Sequence, residues 1–319
     1  MRRVLHIGPS QTRGGMGAVI RLLAAHPPKG WQASTLASHA DGGTVAVLKA
    51  WAKVRWNLAE ALIGIDLVHI HTATRWSWKR KRGLIEIVKK AGIPIILSLH
   101  SGDFDAHCRS RGPEVNRVCA DLTPVVLTEG WKQRLSAWIP HAKVIPNPSP
   151  DVAISNARDR RRFLLMGRPS PMKGQQIAID AVRSLRAEGQ DVMLDMTAST
   201  HCEDGITGHG WVEGYTRTDL LDICGTLLSP SEWEGLSMTV IEAMARGMPV
   251  IASPASEGVF SESGRIVERT PEAFADAMRD MLEGDTWGTM VAAGPTEAEP
   301  YRLENVIPMW GALYDEVVG

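Results

Sequence analysis

The sequence predicts an α/β protein built from two Rossmann-like domains. Short apolar runs alternate with helical patterns along both halves of the chain, as a parallel doubly wound sheet requires. A proline-rich polar segment, Pro146-Asn-Pro-Ser-Pro-Asp151, interrupts that alternation near the middle and reads as a linker. With 319 residues and 44% hydrophobic content, the chain fills two cores of ordinary size.

In the first half, the patterns predict strands near 3–8, 31–36, 66–71, 94–100, 124–128 and 142–145, and helices near 15–26, 45–63, 75–91 and 129–137. In the second, strands fall near 162–167, 192–196, 225–229 and 249–252, with helices near 174–188, 217–223, 237–246 and 271–284. The expected domains are 1–148 and 149–298, followed by an amphipathic helix within 299–319. Trp51 and Trp56, in the helix over 45–63, are expected to pack inward. No repeat of solenoid period and no low-complexity tract is present.

Several classes are disfavoured at once. No run approaches eighteen apolar residues, so no spanning helix is expected. The opening Met1-Arg-Arg-Val-Leu-His-Ile-Gly8 enters a strand directly and lacks the apolar region of a signal peptide. Cys108, Cys119, Cys202 and Cys224 show no C-x-x-C spacing and read as free thiols of a cytoplasmic protein. His69-Ile-His71 chelates a metal only with help from elsewhere, and alternation on a buried strand accounts for it, so no metal site is expected.

Four segments carry chemistry. Gly225 to Pro230 is a short apolar strand, and Met238 to Arg246 a helix closed by Gly247 and Pro249. Between them lies Ser231-Glu-Trp-Glu-Gly-Leu-Ser237, so the helix's first amides, at Leu236, Ser237 and Met238, form an anion site. Glu234 stands just before that site, and Glu242 follows after seven intervening residues. Upstream, Phe163-Leu-Leu-Met-Gly-Arg-Pro-Ser-Pro-Met-Lys-Gly174 reads as strand, then loop, then helix start. Arg168 and Lys173 are poorly placed for the dipole of that helix, and read either as two solvated loop cations or as partners of a diphosphate lying between them and its amides.

The third segment is the strand Val4 to Gly8 and the loop after it, where Gly14 and Gly15 let backbone approach a ligand. It is not a Gly-x-Gly-x-x-Gly loop, and no acidic residue stands where an adenosine ribose would need one, which disfavours a nicotinamide enzyme. The fourth is Ile93-Pro-Ile-Ile-Leu-Ser-Leu-His100, whose His100 ends an apolar strand where open α/β sheets bind ligands, and reads either as a ligand contact or as a buried structural histidine. Asp103 and Asp105 are expected in the loop that follows, either contacting acceptor hydroxyls or stabilising the loop itself.

Together these segments resemble the Glu-x7-Glu and Gly-Arg-x4-Lys-Gly signatures of retaining glycosyltransferases of the GT-B fold, family 4. The resemblance spans nearly the whole chain and is most specific from Phe163 to Ser253. It implies two Rossmann-like domains facing across a cleft, the last helix crossing back to the first domain, and sugar transfer from a nucleotide diphosphate donor with retention. Glu234 would lie at the transferred sugar and orient it, and Glu242 would hold the ribose. Arg168 and Lys173 would support the departing diphosphate together with the backbone at Gly235, Leu236 and Ser237. Gly14 and Gly15 would lie under the diphosphate, and His100 would touch the donor sugar. No metal or other cofactor is implied beyond the nucleotide-sugar substrate. A GT-B epimerase and a non-catalytic sugar-nucleotide-binding protein share the fold. The first should carry extra carboxylates at the reacting centre, and the second has no need of Arg168, Lys173, Glu234 and Glu242 together.

The net charge of −1 conceals an asymmetry, because residues 1–150 hold 21 Lys or Arg against 9 Asp or Glu and the remainder 14 against 27. Trp76, Trp78, Lys79, Arg80, Lys81 and Arg82 concentrate the basic side and read either as an anionic membrane contact or as a solvated helix start with core tryptophans. The first reading fits a peripheral protein on the inner membrane face and a glycan or lipid-linked acceptor. A membrane-surface scaffold explains the basic half but leaves the C-terminal motifs without a use. No nucleic-acid-binding module accompanies the patch.

Overall fold

The computed structural model describes residues 1–38 and 44–319, with side chains at 1–38 and 52–319. The chain divides into two compact units, one formed by Met1–Pro148 with Tyr301–Gly319 and the other by Ser149–Pro300. Both are α/β, as the alternation of patterns requires.

The first unit runs β1 (Arg2–Gly8), α1 (Gly15–Ala25), β2 (Trp31–Ala37), α2 (Thr44–Ala61), β3 (Leu67–Thr72) and α3 (Trp76–Lys90). It continues through β4 (Ile95–Leu99), α4 (Phe104–Cys119), β5 (Thr123–Val126), α5 (Glu129–Leu135) and β6 (Lys143–Val144). The six strands are parallel in the order β2-β1-β3-β4-β5-β6. Alternation along them puts Leu5, Ile7, Val68, Ile70, Leu97 and Leu99 into one core with Leu58, Leu84, Phe104 and Trp131. Each such buried Ile or Leu contributes about 1.5–3 kcal/mol. Alternation places His6, His69, His71 and Ser98 on the opposite face, which explains how polar residues come to lie inside a sheet.

The structure changes several sequence expectations here. Helix α4 was not expected, so Asp103 and Asp105 do not share an open loop: Asp103 immediately precedes the helix and Asp105 lies in its first turn. Gly112 and Pro113 hide it in the sequence, and the helix is kinked at Arg111 (φ −138°), two residues before Pro113. Trp56 was expected to pack, yet it is 88% exposed. Val54, Leu58 and Leu62 form the buried stripe around α2, and Trp56 falls about half a turn away from it. The side chain of Trp51 lies outside the described residues.

The second unit runs β7 (Asp159–Leu165), α6 (Gln175–Ala187), β8 (Met193–Met196), β9 (Cys202–Glu203), β10 (Ile206–Gly208) and α7 (Gly214–Ile223). It continues through β11 (Cys224–Ser229), α8 (Met238–Ala245), β12 (Val250–Ala252), β13 (Gly264–Ile266), α9 (Pro271–Glu283) and α10 (Thr286–Ala298). Thr270 caps α9 by accepting from the Ala273 amide at 3.2 Å, with Pro271 at the first helical position. Strand order is β13-β12-β11-β7-β8-β10-β9, with only β9 antiparallel to its neighbour. Successive crossovers from β7 run toward β8 on one side and reach β11 on the other. The C-terminal ends of β7 and β11 therefore flank the topological switch point, where such sheets bind ligands.

Glu297 on α10 holds the loop before β13. Its Oε1 accepts from the amides of Ser261 (2.9 Å) and Glu262 (2.8 Å) and from the Ser261 hydroxyl, and its Oε2 from the Ser263 amide (2.9 Å). Burial alone would raise this carboxyl, but the hydrogen bonds outweigh burial and hold it at about 2. Glu297→Gln should cost about 1–3 kcal/mol at neutral pH. An ordinary unfolded Glu titrates near 4.3, so this contribution is complete above that value and disappears as pH falls through about 2. Urea unfolding at pH 7 and pH 3 checks it, since the gap between native and variant chains should narrow at the lower pH.

The remaining helix, α11 (Leu303–Val318), belongs to the first unit. Its Tyr314 hydroxyl lies 2.9 Å from His69 Nδ1, Trp310 sits over the same imidazole with ring centroids 4.6 Å apart, and Asp315 accepts from Trp31 Nε1 and Arg2.

Candidate active site

In the second unit, the loops after β7 and β11 meet. Lys173, at the end of a short 3-10 turn (Pro171–Lys173), donates to Glu234 Oε1, which also accepts from Ser231 Oγ at 2.7 Å. The contact depends on backbone shape. Gly174 has φ +67°, and a Cβ there would lie 2.3 Å from the Pro230 carbonyl oxygen, so only glycine lets the loops approach. The Glu232 amide donates to Met172 O at 2.8 Å, and Arg269 donates to the carbonyls of Pro230 (2.9 Å) and Pro171 (2.7 Å), tying one loop to the other. A recess at this point is lined by Met166, Lys173, Ser231, Glu234, Ser237 and Thr239.

Helix α8 starts beside that recess. Ser237 precedes its first residue in an extended conformation and makes no side-chain cap, which leaves the first amides of the helix without that partner. Leu236 is buried, and Gly235 and Ser237 are half-buried. Arg168 is exposed in the loop after β7.

Glu242 lies one turn into α8, 5% exposed, with Arg217 of α7 bound edge-on: Arg217 Nη1 donates to Oε1 at 2.7 Å and Nη2 to Oε2. Arg246 Nε stands 3.5 Å from Oε1. The Glu242 carboxylate holds the Arg217 guanidinium above its ordinary value against the effect of burial. Arg217 and Arg269 carry no local sequence signal, since they lie 25 and 39 residues from their partners Glu242 and Pro230.

In the first unit, Gly14 takes φ +123°, outside the range of other residues, and Gly15 opens α1. Arg21 shapes that loop by donating to Ser10 O (2.8 Å) and Thr12 O (3.2 Å). His100 lies just past β4, its amide on Thr72 O at 2.9 Å and its Nε2 3.0 Å from His71 Nδ1. Burial pulls this imidazole down to about 4, so it is neutral at physiological pH. Asp103 Oδ1 accepts from Thr74 Oγ1 (2.9 Å) and Ser101 Oγ (2.6 Å), while Asp105 accepts from Arg109 at 3.0 Å.

The basic segment divides by helical period. Trp78 and Lys81 are 2% and 0% exposed and face the interior with Leu84, Ile85 and Val88, so they are not available to a membrane. Trp78 donates to Glu114 at 2.8 Å, and Lys81 reaches Ser38 Oγ at 2.5 Å. Burial, with Arg80 adding to it, pulls the Lys81 ammonium down to about 7. Arg82 pairs with Glu114 at 2.7 Å. What faces solvent is Trp76, 69% exposed, with Lys79 Nζ 5.1 Å over its ring.

Residues 160–284 match the family model described as glycosyl transferases group 1. No curated protein matches the sequence. Among solved structures, the chain is similar to sucrose-phosphate synthase from Thermosynechococcus elongatus (TM-score 0.81, 16% identity, 99% of both chains). It is also similar to the catalytic domain of starch synthase IV from Arabidopsis thaliana bound to ADP and acarbose (TM-score 0.70, 12% identity, 99% of both chains). A third likeness is to the lipopolysaccharide outer core galactosyltransferase WaaB in its apo form (TM-score 0.64, 17% identity, 98% of this chain and 99% of that one). At these identities the solved structures speak for the fold, and the matched segment contains Arg168, Lys173, Glu234 and Glu242. The chain has the GT-B fold of these glycosyltransferases, and its residues 160–284 match the group 1 model.

Proposed function

We propose that this enzyme moves a sugar, with retention, from a UDP- or GDP-sugar to a glycan or lipid-linked acceptor in cell-surface polysaccharide or glycolipid assembly. The observation that carries the reading is the meeting of Lys173 and Glu234 at the switch point of the second sheet, beside the start of α8. In this reading Arg168, Lys173 and the backbone at Gly235, Leu236 and Ser237 stabilise the charge that develops on the departing diphosphate. These protein cations and amides make a metal ion unnecessary. Glu234 orients the transferred sugar, and Glu242, held by Arg217, receives the ribose hydroxyls. From the first unit, Gly14 and Gly15 are assigned to the diphosphate, His100 to the sugar, and Asp103 and Asp105 to the acceptor. The cytoplasmic membrane face is the assigned place of work, with Trp76 and Lys79 as the contact; Lys79→Glu should weaken binding to phosphatidylserine vesicles about fivefold in a sedimentation assay.

The test is hydrolysis of UDP-, GDP-, ADP- and dTDP-sugars in EDTA. Slow release of one nucleoside diphosphate by the native chain, lost in Glu234→Ala, is the expected result. If calorimetry also finds no sugar nucleotide bound, the reading fails.

A further inference from the structure

Four imidazoles lie on one face of the first sheet. His6 of β1 pairs in register with His69 of β3, His71 pairs with Ser98 of β4, and His100 follows two residues after Ser98. The ring nitrogens of His6, His69 and His71 lie within 4.8 Å of one another, a spacing that invites a metal reading. Ring orientation points elsewhere. His6 Nδ1 and His71 Nε2 are 3.1 Å apart with ring centroids at 5.4 Å and planes 25° apart. That centroid spacing is the N···N separation plus a ring radius at each end, so the rings stand end to end and their nitrogens aim at each other. His71 Nδ1 and His100 Nε2 repeat the arrangement at 3.0 Å, with centroids at 5.2 Å and planes 30° apart. Lone pairs converging on a metal would not face one another in this way; two successive in-line N–H···N hydrogen bonds do. His69 stands outside the chain, stacked on His71 at 4.1 Å and bonded to Tyr314 and to Ser98 at 2.7 Å.

Burial pulls His6 and His100 down to about 4 and lowers His71 well below its ordinary value, so all three rings are neutral. A neutral imidazole has one N–H and one bare nitrogen. If His100 carries its proton on Nε2, it donates to His71 Nδ1, which places the His71 proton on Nε2 and makes His6 Nδ1 an acceptor. If His71 instead donates from Nδ1, His100 must carry its proton on Nδ1 and His6 must donate from Nδ1. Any mixture sets two N–H groups or two lone pairs against each other inside the protein.

We infer that His71 and His6 are positioning residues which, through this chain of hydrogen bonds, fix the tautomer of His100 and hence whether His100 Nδ1 offers a ligand hydroxyl a donor or an acceptor. His100 Nδ1 has no hydrogen-bond partner among the described residues, which leaves it available at the sheet end. Switching between the two states takes up one proton at His100 Nδ1 and releases one at His6 Nε2, with each internal proton crossing a single hydrogen bond. The inference rests on the proposed placing of His100 at the sugar, but its test does not need the sugar.

The experiment is ¹⁵N NMR of the histidine rings in the full chain without substrate, whose nitrogen shifts report the tautomer of each ring. The native chain should show His6, His71 and His100 protonated on the same-named nitrogen. In folded His6→Phe, the ratio of the two His100 tautomers should change at least threefold, although residue 6 does not touch His100. His69→Gln, which leaves the chain of bonds intact, should leave that ratio unchanged. Opposite tautomers on His71 and His100, an unmoved ratio in His6→Phe, or an equal change in His69→Gln would each overturn the inference. A sugar-nucleotide screen that finds no donor would instead count against the proposed function alone.

Discussion

Lys173→Ala should lower turnover of the sugar nucleotide about 10²–10³-fold, the usual loss on removing one preorganised group that stabilises developing charge. Lys173 is well placed to lose that much. It is half-buried at the switch point, fixed by Glu234, and carried on a turn that Arg269 ties to the opposite loop. In the proposed reaction, a cation held in this way needs no reorganisation when the diphosphate departs. The loss should fall on kcat more than on nucleotide affinity, because an interaction that strengthens in the transition state does not act mainly on ground-state binding. Single-turnover rates beside calorimetric affinities separate the two. A weaker affinity with kcat preserved would make Lys173 a simple anion anchor. Glu234→Gln supplies the companion measurement, since it removes the ion pair while keeping an acceptor toward Ser231.

Gly174→Ala should destabilise the second unit by roughly 2–5 kcal/mol, combining the cost of a left-handed residue with that of overpacking. The fall in thermal midpoint should be on the order of 10 °C. Gly189 supplies an internal standard. It has φ +85° with nothing within 4 Å of its missing Cβ, whereas the Cβ at 174 meets the Pro230 carbonyl at 2.3 Å. Gly189→Ala therefore carries only the conformational cost, about 1–2 kcal/mol. Thermal melts of both variants in the full chain make the comparison, and equal midpoints would show that the two loops yield to the added methyl without cost. Because Gly174 follows Lys173, the same substitution should also depress activity beyond what the lost stability explains.

Much of this architecture is legible in the sequence because strands buried on both faces read as apolar runs. Gly225–Ser229 could be located on that ground, and the strands at 3–8 and 66–71 from their alternation of apolar residues with His6, His69 and His71. What escaped had a mixed local signal. Helix α4 carries Gly112 and Pro113, and α10 carries Gly288, Gly294 and Pro295, so their periodicity competes with residues that ordinarily end helices. Strands β9, β10 and β13 span two or three residues each, too few for a pattern. The run Lys79 to Arg82 reads as solvated when treated as a block. Its period of three to four residues, linking Trp78, Lys81, Ile85 and Val88, already assigns one lysine to the interior. At the candidate site the residues within motifs were legible, and those supporting them were not. Arg217, Arg269 and the link from His6 to His71 are tertiary events between distant segments.

The first unit is discontinuous, and this bears on which stretch of chain completes it. Residues 149–300, which form the second unit, all precede α11 in the chain. Without α11, His69 lacks Tyr314, Trp31 lacks Asp315, and the histidine face of the first sheet has no helix from Trp310 to Tyr314 over it. The second unit is therefore continuous in sequence, while the first is complete only when α11 is present. A chain cut before residue 301 should accordingly present a finished second unit beside a first unit that lacks α11.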